Sequence, residues 1–436
     1  MRHRLAISFG LAILLSGGHF GPASAQALKV ELQELVKTHP EILSRQSSLV
    51  AAREGIDKAY AGYLPRVDVV GAYGPQYIDS PLTEQNGGSA WVSQAQILSG
   101  RITQNLFDGF ATPANVRSAR LNVEVAESTL AGTRQNVIYT GIAAYIEVLR
   151  QNQLIQLSRE SELTIMRQLN LEDERVQRGG GIAVDVLQAK SRLQLAKERR
   201  VSFEGALADA IARYVQVFGH APHIDRMKPP PVPQAQLPDD LDEALEIARE
   251  NNPAIDSSLA TVDVADQRRR VARSDYYPRI DLVSSANREN DNDLVRGTSI
   301  DISVLMQATW NLFNGFATDA GISQAAAEYQ ASLRNHDSVA RDVTQQTRLA
   351  WNEMTTARER VALLQNAVNI ATEVLDARSK LREAGRETVI NVLDAENEVY
   401  NARINLVIAS GDATRAAYQV LQGIGRLELN DLPLSP

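Results

Sequence analysis

The residues in this 436-residue chain that could do chemistry are scattered, and their spacing argues against an enzyme. His3 and His19 lie near the start, and His39, His220, His223 and His336 have no second ligand at metal-binding spacing. His220 and His223 flank a proline. Cysteine is absent, which removes disulfides, thiolate metal sites and a thiol nucleophile. Gly179, Gly180 and Gly181 follow Arg178, but no Lys-Ser/Thr pair follows them, so they do not form a phosphate-binding loop. HExxH, GxSxG and Walker patterns are missing. Catalytic residues, cofactors and metals are therefore not expected. The many acids fall on helical stretches as surface charge, and the run Arg268–Arg270 reads as a solvated face. A formal net charge of −8 speaks against a nucleic-acid partner.

The elements that would position any site come in pairs. "QNLFDGFAT" from Gln104 returns as "WNLFNGFAT" from Trp310, 206 residues later (310 − 104). "VDVLQAKSRLQLAKER" from Val184 returns at the same offset as "INVLDAENEVYNARIN" from Ile390, and "AAYIEV" around Tyr145 as "LAWNEM" around Trp351. "GYLPRVDVV" around Pro65 returns as "DYYPRIDLV" around Pro278, and "THPEIL" as "NNPAID", both at 213 (278 − 65). The first copy thus has a longer loop between these marks, the polar "SPLTEQNGGSA". A long-period repeat of this kind dictates the fold before any local reading. We place a first structural repeat at 26–220, a Pro-rich linker at 221–240 and a second repeat at 241–436.

Each copy reads in the same order. A helix of about 33 residues, Leu28–Tyr60 or Leu241–Ser274, ends at a Tyr-Pro step. Strand segments follow at about 65–75 and 95–107, and at 279–290 and 299–312. In the last of these, Ile300, Ile302, Val304, Met306, Ala308, Trp310 and Leu312 share one face, and Asp301, Ser303, Gln307, Thr309 and Asn311 the other. In copy one, Leu98, Ile102 and Leu106 point one way and Ser99, Arg101, Thr103 and Asn105 the other. The "NLFxGFAT" phrases are strand-to-helix joints, with Gly109 and Gly315 at the turn and Thr112 and Thr318 as expected N-caps. Helices from Pro113 to Arg178 and from Asp319 to Glu383 follow, each roughly 100 Å long at a rise of about 1.5 Å per residue. "RGGG" and "EAGRE" then turn the chain into return helices, Ala183–Phe218 and Thr388–Leu421.

The N-terminus carries the marks of export. A basic "MRHR", the apolar "LAISFGLAILL" and "ASA" at Ala23–Ala25 predict a signal peptide over 1–25. No later stretch approaches the ~18 apolar residues of a membrane-spanning helix. Four alternating strands are too few for a membrane barrel, which needs about eight or more. Unpaired strand edges are not tolerated in lipid. Either several chains pool their strands into one barrel, or the hairpins are soluble and pack on a periplasmic coiled-coil scaffold with no pore. The strand pattern alone leaves both open.

In the order of their marks, the "YLPRV" and "YYPRI" steps, the two "NLFxGFAT" joints and the "VDVLQA"/"INVLDA" pair resemble the TolC family of outer-membrane efflux proteins. The resemblance covers essentially the whole mature chain. It implies a mostly α fold with a small membrane β part. Three chains would make a twelve-stranded outer-membrane barrel continuous with a periplasmic helical barrel. The implied function is a passive export duct of a tripartite efflux pump or type I secretion system. The implied partners are a periplasmic membrane-fusion adaptor, an inner-membrane ABC or proton-driven transporter, and outer-membrane lipid. Absence of cysteine favours the non-lipidated branch. By the same resemblance, Gly179, Gly180, Gly181 and Gly385 are adaptor-docking tips. The acidic entrance positions fall on Asn391 and Asp394, where Asp394 would form a ring of three carboxylates. Arg382 and Asp185 fall where an entrance lock lies and are expected to pair.

Overall fold

The computed structural model describes residues 28–82, 90–180, 182–430 and 432. The expected signal peptide, Gly181 and much of the long first-copy loop lie outside these residues.

The first helix of each copy is two helices, not one. Helices α1 (Leu28–Thr38) and α2 (Pro40–Tyr60) meet at His39, whose backbone is extended. Much later in the chain, Leu241–Asn251 (α5) and Pro253–Ser274 (α6) meet at Asn252. A proline's ring pushes the preceding residue out of the α region, while proline itself is at home in a helix's first turn. Asn252 caps α6, its Oδ1 accepting from the Ala254 amide at 2.9 Å. The single continuous helices expected from periodicity are therefore corrected to a short and a long piece in each copy.

Strands β1 (Arg66–Ile78) and β2 (Trp91–Asp108) follow α2, and β3 (Arg279–Asn290) and β4 (Thr298–Thr309) follow α6. The first pair runs further than expected, and β4 stops short of Leu312. All four form one antiparallel sheet in chain order, so β2 pairs with β3 across the two copies. Arg66 lies opposite Thr103 and Arg279 opposite Thr309, the same register moved by the two repeat offsets. Register puts Val67, Val69, Leu98 and Ile102 on one face with Leu282, Ile302, Val304 and Met306. That face is bare: Ile302 is 73% and Met306 72% exposed. The chain's helices do not cover it, so the reading of soluble hairpins packed on their own body is set aside.

The long helices are α3 (Ala111–Gln177) and α7 (Ala317–Glu383), of 67 residues each. They return as α4 (Ala183–Phe218) and α8 (Val389–Gly423). The main core lies midway along the rods. There Leu32, Ile42, Ile142, Tyr145, Tyr214, Met354, Tyr418 and Leu421 pack α1, the rods and the return helices together. The 221–240 linker is held on this core: Lys228 donates its amide to Tyr145 Oη at 2.9 Å, and Tyr418 Oη donates to Pro231 O at 2.7 Å. A second, smaller cluster of Ile165, Ala189, Leu193, Val389 and Leu393 sits near the turns. Among the described residues no helix is long and apolar enough to cross a membrane.

Candidate functional site

Two places in the molecule are built for more than packing: the joints where strand becomes long helix, and the turns at the far end. In the first joint, Gly109 and Phe110 both have left-handed backbones, φ 66° and 71°. Gly315 and Phe316 repeat this at 68° and 67°. Left-handed phenylalanine is strained. The conformation is held by Asp108, whose Oδ2 accepts from the Thr112 amide at 2.9 Å and from its hydroxyl at 2.5 Å. Asn314 braces Thr318 from the same position, its Oδ1 accepting from the Thr318 amide at 3.3 Å and its Nδ2 donating to the Thr318 hydroxyl at 2.8 Å. The expected N-caps are therefore corrected. Phe110 and Phe316 occupy the cap positions, and the threonines are bonded to a side chain before the turn.

The two joints differ in their surroundings. A Cβ on Gly109 would stand 2.5 Å from Ser274 O and 2.9 Å from Tyr277 Cβ. Phe107, Phe110 and Tyr277 meet edge to face at 5.4–6.4 Å. At Gly315 nothing among the described residues lies within 4 Å, and Phe313 and Phe316 meet edge to face at 5.5 Å. Copy one closes on copy two within the chain, while copy two's joint faces open space beside the free edge of β4.

At the far end both rods stop in Schellman turns. The Gly179 amide donates to Val176 O and the Gly180 amide to Arg175 O, both at 3.0 Å. Gly385 and Arg386 do the same to Arg382 O and Leu381 O at 2.9 Å. Gly179 and Gly385 carry φ of 78° and 71°, which explains glycine there.

Just above these turns the expected lock has a different partner. Arg382 on α7 pairs with Glu172 on α3, not with Asp185. Both side chains are buried, at 12% and 4% exposure, and Arg175 approaches the same carboxylate at 3.6 Å. Asp185 sits half-exposed in the first turn of α4, with no side-chain partner recorded among the described residues. Beside the pair, Glu396 on α8 is buried and its Oε2 has no hydrogen bond. Burial pushes its carboxyl above the usual range, against the opposing pull of a Gln168 hydrogen bond and of Arg167 and Arg382. Asp394 is not a bare carboxylate either: Arg192 on α4 holds it at 2.5 Å. Asn391 donates its amide nitrogen to Glu387 at 2.5 Å, which holds that carboxyl below its ordinary value. Arg378 on α7 donates to the Asn391 carbonyl at 3.3 Å. Asp394 therefore comes to any ring of three already paired with an arginine of its own chain.

This arrangement of sheet, rods and turned tips was compared with known proteins. Residues 32–220 and 244–426 match the family described as outer membrane efflux protein. The chain belongs to that family. It is 26% identical to outer membrane efflux protein BepC of Brucella suis biovar 1, over 97% of this chain and 91% of the relative. It is 24% identical to outer membrane protein TolC of Vibrio cholerae serotype O1, over 90% and 89%. A crystal structure of a membrane protein from Pseudomonas aeruginosa shares the fold with a TM-score of 0.81 at 18% identity, covering 92% of this chain and 91% of that one.

An outer membrane efflux protein is a channel, and this chain is an outer-membrane export duct of the efflux and secretion kind. The bare sheet is its membrane part and the rods are its periplasmic part. Sequence reading found the joints and tips but missed Glu172, Arg192 and Glu396. A signal was present: at the 206-residue offset (310 − 104), Glu172 stands against Arg378, Lys190 against Glu396, and Arg192 against Glu398. With Arg167 against Glu373 and Glu174 against Lys380 these make five charge reversals, which mark the region where the copies stop being equivalent without separating Glu172 from Glu174.

Proposed function

We propose that three copies of this chain close into one duct, with β4 of each chain pairing with β1 of the next as β2 pairs with β3 inside it. The carrying observation is the sheet with two open edges, β1 and β4, whose internal seam already joins the two copies. Moving that seam by the repeat offsets gives a definite register. Gly100 opposite Ala286 becomes Met306 opposite Tyr73 of the next chain, and Arg101 opposite Ser285 becomes Gln307 opposite Ala72. Each derived pair falls on a common face of the sheet, apolar for Met306 with Tyr73 and inward for Gln307 with Ala72, as a ladder requires. Gly315 and the Phe313–Phe316 pair then meet Ala61 and Leu64 of the next chain, the counterparts of Ser274 and Tyr277.

In this assembly the duct makes and breaks no bonds. Its turns at Gly179, Gly180 and Gly385 present the tips to a periplasmic adaptor, which couples the duct to an inner-membrane transporter. The Arg382–Glu172 pair ties the two rods of each chain just above the entrance, where Asp394 and Asn391 lie.

Because the chain has no cysteine, the seam can be tested directly. Gln307→Cys with Ala72→Cys should cross-link on oxidation into a covalent three-chain ladder. Directly opposed strand residues lie within disulfide reach. Gln307→Cys with Gly71→Cys, which places the thiols on opposite faces, should not. Equal cross-linking by both pairs, or by neither, would overturn the seam.

A further inference from the structure

We infer that the groove between the end of α2 and the first turns of α3 binds the headgroup of an ethanolamine phospholipid in the periplasmic leaflet of the outer membrane. The inference rests on the proposed reading that the sheet lies in that membrane and closes into a duct, but not on the number of chains in it. The groove holds about 610 Å³ and is lined by Tyr60, Tyr63, Val116, Arg117, Arg120 and Glu124. Arg117 and Arg120 are exposed on adjacent turns of α3. Neither has an ion pair or hydrogen bond recorded among the described residues. Other arginines of the rods and return helices, such as Arg150, Arg192, Arg200 and Arg382, are held by carboxylates.

Depth places the groove at the headgroups. β1 begins at Arg66 and β2 ends at Asp108, so Tyr63 and Phe110 mark the membrane edge of the sheet. Arg117 and Arg120 lie two to three turns past Phe110, about 10–15 Å along the helix. Helical side chains lean toward the helix N-terminus, which on α3 is toward the membrane. Their guanidinium groups therefore rise toward a headgroup layer about 5–8 Å thick. Tyr60 and Tyr63, with rings 5.3 Å apart, stand at the level where phenols favour the water–lipid boundary.

Orientation places it outside the duct. Tyr60 follows Ile42, and Arg120 precedes Ile138, by the same interval along the chain (60 − 42 = 138 − 120). That interval is close to a whole number of helical turns, about five, so each residue shares a face with its partner. Ile42 and Ile138 both belong to the core that packs α1 onto the rods. On the same side of α3, Gly141 lies so close to α1 that a Cβ would stand 2.7 Å from Leu35 Cδ2. Elements layered on that face would fill the lumen if it were the inner one, so the groove opens outward.

The chemistry then selects the ligand. Two guanidinium forks one turn apart suit one phosphate. Glu124, one turn further from the membrane and also unpaired among the described residues, lies where an ammonium beyond that phosphate would sit. Copy two has no such site. At the same positions it carries Ser323, Ala326 and Gln330, so each chain offers one site.

The test is native mass spectrometry of the intact purified protein with added phosphatidylethanolamine, phosphatidylglycerol, diacylglycerol or inorganic phosphate. Wild type should retain phosphatidylethanolamine, up to one per chain, and lose diacylglycerol. Arg117→Ser with Arg120→Ala, the residues copy two uses, should lower retention about tenfold or more, since two charge-assisted contacts are lost. Arg134→Ser, an exposed arginine further down the same helix, should leave retention unchanged. Glu124→Gln should remove the preference for phosphatidylethanolamine over phosphatidylglycerol. Undiminished retention in the double variant, an equal loss in Arg134→Ser, or displacement by millimolar phosphate would each overturn the site. The same spectra report the number of chains, so a failure of threefold closure is read separately from a failure of lipid binding.

Discussion

The two copies of the repeat differ most where they would be expected to agree. Both joints have the same phrase, the same left-handed Gly-Phe step and the same side-chain brace. Yet Gly109 is clamped against Ser274 and Tyr277, and Gly315 touches nothing. Identical local geometry in unequal surroundings means that the joint's shape comes from its own residues, while its packing comes from whatever copy stands next to it. For copy one the neighbour is in the same chain. For copy two, under the proposed closure, it is another chain.

The largest expected effect tests this contrast. Gly109→Ala meets both the left-handed penalty, about 1–2 kcal/mol, and a backbone oxygen that cannot give way. It should lower the thermal stability of the folded assembly by several degrees and reduce its yield. Gly315→Ala meets only the left-handed penalty in a lone chain. If the seam repeats the internal joint, its full cost should emerge in the assembled duct. Melting of the assembled duct in detergent should therefore fall alike for both variants, while chains kept apart by denaturant should refold differently. A Gly315→Ala duct as heat-stable as wild type would break the equivalence.

The second effect lies at the other end. Removing one partner of a buried ion pair leaves a desolvated charge, typically a loss of about 3–5 kcal/mol. Arg382→Ala or Glu172→Ala should therefore loosen the rods near the tips, raising both single-channel conductance and hydrogen exchange over Gln168–Arg178 and Leu375–Arg382. Asp185→Ala, which removes a carboxylate with no side-chain partner among the described residues, should change neither. The double variant Glu172→Leu with Arg382→Leu should recover stability, because a packed apolar pair is often as good as a buried salt bridge. An Asp185→Ala effect equal to that of Arg382→Ala would return the lock to the pairing expected from the sequence.

Much of the fold was legible because it rests on one-dimensional signals. Period-two alternation in Ile300–Met306 defined a strand face, and uninterrupted polar-apolar sequence between the joints and the glycine turns defined the rods. The repeat offsets also carry the pairing of one hairpin onto the other, since Arg66 with Thr103 and Arg279 with Thr309 are one pairing written twice. The breaks at His39 and Asn252 were also written, as prolines, but helical periodicity on both sides hid them. The entrance was not legible. Which of Glu172, Glu174 or Asp185 meets Arg382 depends on how far each rod rotates about its axis over many turns. A small error in residues per turn accumulates along such a helix until it exchanges one face for another. Glu172 lies among Asp173 and Glu174, and nothing in composition separates the buried acid from its exposed neighbours.

The smallest effect concerns charge rather than stability. Arg192–Asp394 is a partly exposed pair, with side chains 27% and 55% accessible, worth about 0–1 kcal/mol. Arg192→Ala should therefore leave melting almost unchanged. It would nevertheless free one carboxylate per chain near the entrance, and rings of like charge bias ion passage. Reversal potentials across a salt gradient should shift toward cations in Arg192→Ala and toward anions in Asp394→Asn, which leaves the arginine unopposed. If Asp394 were a bare carboxylate, only Asp394→Asn would shift the potential, also toward anions, and Arg192→Ala would be silent. The arginine variant is therefore the one that decides. In copy one the counterpart of Asp394 is Gln188, which carries no charge, so the charge at this repeat position comes from copy two alone and is balanced by an arginine of copy one.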